Sequence, residues 1–159
     1  MTRKRWLVLA GVIGAVALYL FWNPTAETFL VPEGYVGPVV VAFSHPRGVK
    51  RERTIDSYVY RIPRDGILRI KDSQPSGVKM VAWYFVDASG KRTRIPDYWP
   101  AMDRHKLTTP HICCQEAGGG RGAMSFIHAQ IGVPADDNGF FPSAYHVVEA
   151  VQEEYAKSP

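Results

Sequence analysis

Five side chains in the second half of the chain carry the chemistry most easily named: His105, His111, Cys113, Cys114 and His128. Imidazole and thiolate are zinc ligands, and a closed structural site takes four of them. On an extended segment His111 and Cys113, two apart, share a face. His128 on a neighbouring strand would join them, with Asp97 or Asp103 supplying oxygen. The spacing matches no zinc signature, so His111, Cys113 and His128 fall short of a metal assignment. A cysteine hydrolase needs a thiolate, a base within hydrogen-bond reach and a group orienting that base. Nothing places either cysteine at a helix N-terminus, where its pKa would fall. Adjacent cysteines have Cα atoms only ~3.8 Å apart, too close for an easy bridge, and Ser125 lacks the nucleophile-elbow glycines. We therefore expect no catalytic residue and no cofactor. An extracytoplasmic metal- or cysteine-dependent hydrolase is the alternative.

Recognition chemistry is better represented. Tyr98 and Trp99 lie between Pro96 and Pro100, with Arg104 and His105 close behind, and Tyr, Trp and Arg are enriched at protein-binding hot spots. Arg121 sits in a Gly-Gly-Gly-Arg-Gly stretch whose amides could face an anion, although the Lys-Ser/Thr ending of a nucleotide loop is missing. Tyr98, Trp99, Arg104, His105 and Arg121 form the expected partner-binding set.

The elements that must position these groups begin with a membrane segment. Arg3, Lys4 and Arg5 precede residues 6–22, which carry no charge. As a helix this run covers about 26 Å, near the short end of a span, with Trp6, Tyr19 and Trp22 suited to the interfaces. The basic cluster predicts a cytoplasmic N-terminus and an extracytoplasmic bulk. A cleaved signal peptide is the competing reading, with small residues at Ala15 and Ala17 and again near Thr25 and Ala26. Three of the 19 basic residues belong to this leader, so the rest nearly balances 15 acids. That near-balance argues against nucleic acid, which wants a concentrated basic face. The basic run 47–53 reads as a solvated loop and strand start, with anionic lipid or an acidic partner as the further possibility.

Residues 27–159 suit one domain with its own core. Strands are expected at 29–31, at 39–43 (buried on both faces), at 55–62 and 67–70 as a hairpin about Pro63–Gly66, at 79–87 as the main core strand, at 92–95, at 111–114 and at 123–131. The Pro32-Glu33-Gly34 turn reads as type I with proline second, and 118–122 as a flexible loop. Ser143 is a candidate cap for a helix whose stripe is Ala144, Val147, Val148, Val151 and Tyr155, with Glu149, Glu153 and Glu154 facing away. With no interior helices to carry parallel crossovers, the fold expected is mostly β. It is an antiparallel β-sandwich of seven to nine strands, with an N-terminal transmembrane helix and a C-terminal amphipathic helix.

Residues 29–43 read FLVPEGYVGPVVVAF. This block resembles the leading segment of a family of small, uncharacterised bacterial envelope domains, in which F-L-(I/V)-P-x-G-Y-x-G runs into a hydrophobic strand. Residues 58–70 resemble that family's proline-glycine hairpin, and Gly139, Phe140 and Phe141 its late aromatic pair. The chain departs from the pattern at Pro38, and it has an apolar span where many relatives carry a lipid-anchoring cysteine. The resemblance implies an envelope location and a β-rich fold, with no reaction attached. A more distant similarity is to transthyretin-like sandwich domains.

The expectation is thus a basic stub, anchor and spacer over 1–26 and an extracytoplasmic domain over 27–159. The domain would be held at the bacterial inner membrane and would bind an envelope protein or component without catalysis. An immunity-type role against an envelope-acting toxin is one version of that reading.

Overall fold

The computed structural model describes residues 11, 12, 14, 24, 26–78, 80–97, 110–119, 124–132 and 144–157. Nine strands and one long helix occur among them: β1 (Ala26–Pro32), β2 (Gly37–Phe43), β3 (Glu52–Arg53), β4 (Ser57–Arg61), β5 (Ile67–Arg69), β6 (Met80–Val86), β7 (Arg92–Arg94), β8 (His111–Gly119), β9 (Ser125–Gly132) and α1 (Ala144–Ala156). They form a five-stranded sheet in the order β3-β4-β1-β6-β7 and a four-stranded sheet in the order β5-β2-β9-β8. The fold is mostly β, as the sequence predicts, with α1 at the C-terminus.

Both sheets are mixed, not antiparallel. β1 runs parallel to β4 on one side and to β6 on the other, and β2 runs parallel to β5. The expectation failed because it assumed that a parallel crossover needs a helix, its usual carrier. Here a strand of the opposite sheet does that work. The chain leaves β1, forms β2 in the second sheet and returns to build β4. It leaves β4, forms β5 and returns to build β6. The predicted hairpin 55–62/67–70 is therefore absent: Pro63–Gly66 carries the chain between sheets.

Phe29 and Val31 of β1, Tyr58 and Tyr60 of β4 and Trp83 of β6 join Val39, Val41, Phe43, Ile127, Ala129 and Ile131 of the second sheet in one buried cluster. Phe29 stacks on Trp83 at 4.0 Å and tilts against Tyr60 at 4.8 Å. Such ring pairs add to the area that burial removes from water. β1, expected to be brief, is the central strand of its sheet. β6, expected to be the main core strand, buries Trp83 fully and leaves Met80 exposed. β2 is buried along nearly its whole length, as its unbroken apolar run predicts, because α1 covers its outer face through Ala42, Met124 and Val151. Gly118 and Gly119, read as loop, extend β8 instead.

Of the expected span 6–22, only Gly11, Val12 and Gly14 are described, with helical backbone. Among the described residues no helix is long and apolar enough to cross a membrane.

Candidate functional site

Because β1, β4 and β6 are parallel, their C-terminal ends deliver three turns to one end of the molecule. Each is built by local chemistry. In the first, the Tyr35 amide donates to the Pro32 carbonyl at 3.1 Å, and Gly34 has φ +75°. Positive φ at the third position defines type II, so proline sits first and the type I expectation is corrected. Glu33 N–H bonds to Val86 O at 3.0 Å and ties this turn to β6. In the second, Gly66 has φ +78° and donates to Pro63 O at 3.0 Å. In the third, one Asp87 carboxylate oxygen accepts from the Ser89 amide at 2.8 Å, the Ser89 hydroxyl at 2.6 Å and the Lys91 amide at 2.9 Å. The Ser89 hydroxyl bond is the main reason the Asp87 carboxyl lies below its ordinary pKa.

Tyr35 joins the first two turns. Its hydroxyl donates to the Pro38 carbonyl, and a Cβ on Gly66 would collide with both that hydroxyl and that carbonyl. Burial, with Asp65 adding to it, pushes the Tyr35 phenol above its usual pKa. The proline-glycine-tyrosine-glycine motif is thus a clasp between loops. Pro32, Glu33, Gly34, Tyr35, Arg64, Val86, Asp87 and Ala88 line an open groove of about 580 Å³ beside it. That volume is within the range of small-ligand clefts. Its lining mixes two acids and one arginine with Pro32, Val86 and Ala88.

Two polar clusters lie elsewhere. Buried Glu27, near the start of β1, accepts from the Tyr60 hydroxyl at 2.9 Å. Burial raises the Glu27 pKa, while Tyr60 and Arg51 oppose the rise. Burial also raises the Tyr60 pKa. Arg51 stacks over the Tyr58 ring at 4.1 Å. On the outer side of the second sheet, Arg69 grips Glu154 of α1 at 2.5 Å and Arg47 grips it at 2.6 Å. Glu154, expected to face solvent, instead fastens α1 to β5 and to the loop after β2. The Arg69 bond is the main reason its pKa lies below the ordinary value. Beneath lies His45, fully buried, edge-on to Tyr155. Its Nδ1 accepts from the Arg47 amide at 3.2 Å, its Nε2 has no hydrogen-bond partner among the described residues, and burial lowers its pKa.

Of the partner-binding set, Tyr98, Trp99, Arg104, His105 and Arg121 all lie outside the described residues, as does Asp103. Asp97 is exposed, 3.6 Å from Arg94. β8 and β9 pair, which puts His111 opposite Gly132, Cys113 opposite Gln130, and His128 opposite Glu116 beyond a bulge. Two strands thus carry His111, Cys113 and His128, as the sequence reading required. His128 is buried beside Phe126, and no group of three metal-ligating side chains occurs among the described residues. Sequence reasoning missed Arg64 and Asp87 because each sits in an ordinary turn motif, and only the parallel topology gathers those turns.

A family model, described as a family of unknown function (DUF6843), matches residues 23–126. No curated protein matches the chain. A crystal structure named "Putative Lipoprotein from Bacillus anthracis" is similar in fold, with a TM-score of 0.55 and 15% identity, over 86% of this chain and 100% of that one.

Proposed function

This chain belongs to the DUF6843 family of unknown function, and from that premise we propose that it is a membrane-tethered envelope domain that binds a partner noncovalently. The two sheets make a sandwich. Residues 6–22 hold it at the inner membrane with the N-terminus in the cytoplasm, and the groove at the far end is its recognition surface. One observation carries the reading. β1 starts at Ala26, three residues after the apolar segment, and ends at Pro32 in the groove, so the strand sets the recognition end about 20 Å from the point where the chain enters the fold. The lipoprotein name of the Bacillus anthracis fold neighbour agrees with an envelope setting.

The test is site-specific photocrosslinking in cells. A photoreactive residue at Glu33, Arg64 or Ala88 is expected to trap one envelope component, and the same residue at exposed Glu149 of α1 is expected not to. Equal or absent crosslinking at both places would reject the groove. A reporter enzyme fused after Pro159 is expected to be active only outside the cytoplasm, and cytoplasmic activity would reject the tether.

A further inference from the structure

The end of the domain opposite the groove has its own chemistry. Ala26, Ser57 and Met80 form the first rung of the five-stranded sheet. Met80 is 63% exposed on that rung. Beyond the rung, the turn from β3 to β4 is closed by Thr54, whose amide bonds to the Ser57 carbonyl at 2.8 Å and whose hydroxyl bonds to Asp56 at 2.8 Å. That closure pushes Ile55 outward, and it is 86% exposed. Two large apolar side chains thus project from one rim of a domain whose other Ile residues in β-structure are packed. Isolated exposed apolar residues need no explanation. These two share a rim with the point where the chain enters the fold.

The stretches leading into the rim are basic. Residues 49–56 and 71–80 carry exposed Lys50, Arg53 and Lys71, and exposed Val49 bridges to Ile70 between the two lysines. Lys50 and Lys71 have no ion pair among the described residues. The acids nearby are partly occupied: Glu52 pairs with Arg61 at 3.1 Å, and Asp72 accepts the Arg51 amide at 2.7 Å. Asp56 remains exposed in the turn.

Chain length decides what this rim faces. Three residues separate Trp22 from Ala26, and a fully extended chain over that interval reaches about 14 Å at most. With 6–22 in the bilayer, the rim is held within reach of the headgroup layer. Apolar tips that insert among acyl chains and lysines that meet anionic headgroups are the two components of interfacial binding. We infer that the Ile55–Met80 rim, flanked by Lys50, Arg53 and Lys71, is a seat on an anionic phospholipid surface that holds the domain upright with its groove away from the membrane. This rests on the tethered reading above.

The test uses the full chain in vesicles of phosphatidylcholine with or without phosphatidylglycerol. An environment-sensitive fluorescent residue replaces Ile55 or, separately, Ser89 in the groove-end turn; both positions are exposed turns. At position 55, in vesicles containing phosphatidylglycerol, the emission is expected to shift blue and to be quenched by brominated phosphatidylcholine, and at 89 to do neither. The double variant K50E/K71E is expected to lose most of the quenching at 55. Position 55 reporting water while carbonate-washed vesicles retain the chain would overturn the seat and leave the tether standing. Quenching at 55 with the chain stripped by carbonate would support the seat and reject the tether. Equal quenching without phosphatidylglycerol would overturn the anionic preference.

Discussion

At the residue scale the motif glycines and tyrosine are a packing device before they are anything else. Gly66 is needed for positive φ and for the close approach of the Tyr35 hydroxyl and Pro38 carbonyl. Replacing it with alanine adds a left-handed penalty of about 1–2 kcal/mol and a backbone collision. G66A is expected to cost at least about 2 kcal/mol in chemical unfolding, whereas Y35F removes one hydrogen bond and costs about 1 kcal/mol. If G66A proved neutral, the clasp would not hold the two turns together. The Glu27–Tyr60 pair separates a buried charge from a buried hydrogen bond. Y60F leaves a buried acceptor without its donor and is expected to cost about 1–3 kcal/mol, while E27Q keeps an oxygen for Tyr60 and is expected to change stability by under about 1 kcal/mol. Neither group was legible as a pair in the sequence: they are far apart in the chain, and parallel register alone brings β1 and β4 together. The expected strand began at Phe29, so Glu27 was left outside it, whereas β1 starts at Ala26 and its period of two turns Glu27 to the core side with Phe29 and Val31.

At the element scale, the places of most strands were legible, while the extents of β1 and β8 and the pairing were not. β2 announced itself by an unbroken apolar run, β7 by the Asp87-to-Lys91 turn, and α1 by Val148 and Val151 on one stripe. The error at β4 and β5 came from reading Pro63–Gly66 by its local turn chemistry, which fits a hairpin and a sheet-to-sheet crossing equally. Nothing local distinguishes the two: the difference lies in Tyr35 packing onto Gly66 from another part of the chain. Glu154 was misread for a similar reason. Helical periodicity put it on the face away from the stripe, and its partners, Arg47 and Arg69, lie on other elements. The double grip is the shortest ion-pair contact of α1 among the described residues, yet the groups remain roughly a quarter to three-fifths exposed. Solvent screening therefore keeps its worth modest. E154Q is expected to cost about 1 kcal/mol and to raise amide exchange in α1 more than in β1 or β6. Uniform exchange across the fold would mean that α1 and the sheets open together, with no separate latch.

At the scale of the whole molecule the domain has two ends along β1, the rim with Ile55 and Met80 at one and the groove at the other, with the α1 latch on the side. Part of that polarity was legible, since the Phe29–Gly37 block marks where the first strand ends. The groove was not, because it depends on three strands sharing a direction. The titrating groups inside this frame pull stability in opposite directions. His45 has its pKa lowered by burial, so the unfolded chain binds more protons and stability falls as pH drops from the ordinary histidine range toward the lowered value. Glu154 has its pKa lowered by Arg69, and its contribution is lost in turn as pH falls below the ordinary carboxylate range. Glu27 has its pKa raised, so its contribution is greatest below that range and is lost as pH rises through its raised folded value. Substituting each group in turn separates them. H45Q is expected to flatten the loss of stability below about pH 6.5, and E27Q to remove the opposing gain, so that stability falls more steeply with acid than in the parent. Unfolding midpoints of the three chains between pH 7 and pH 5 decide the point. An unchanged slope in H45Q would show that the buried imidazole is not the group through which the fold loses stability on acidification.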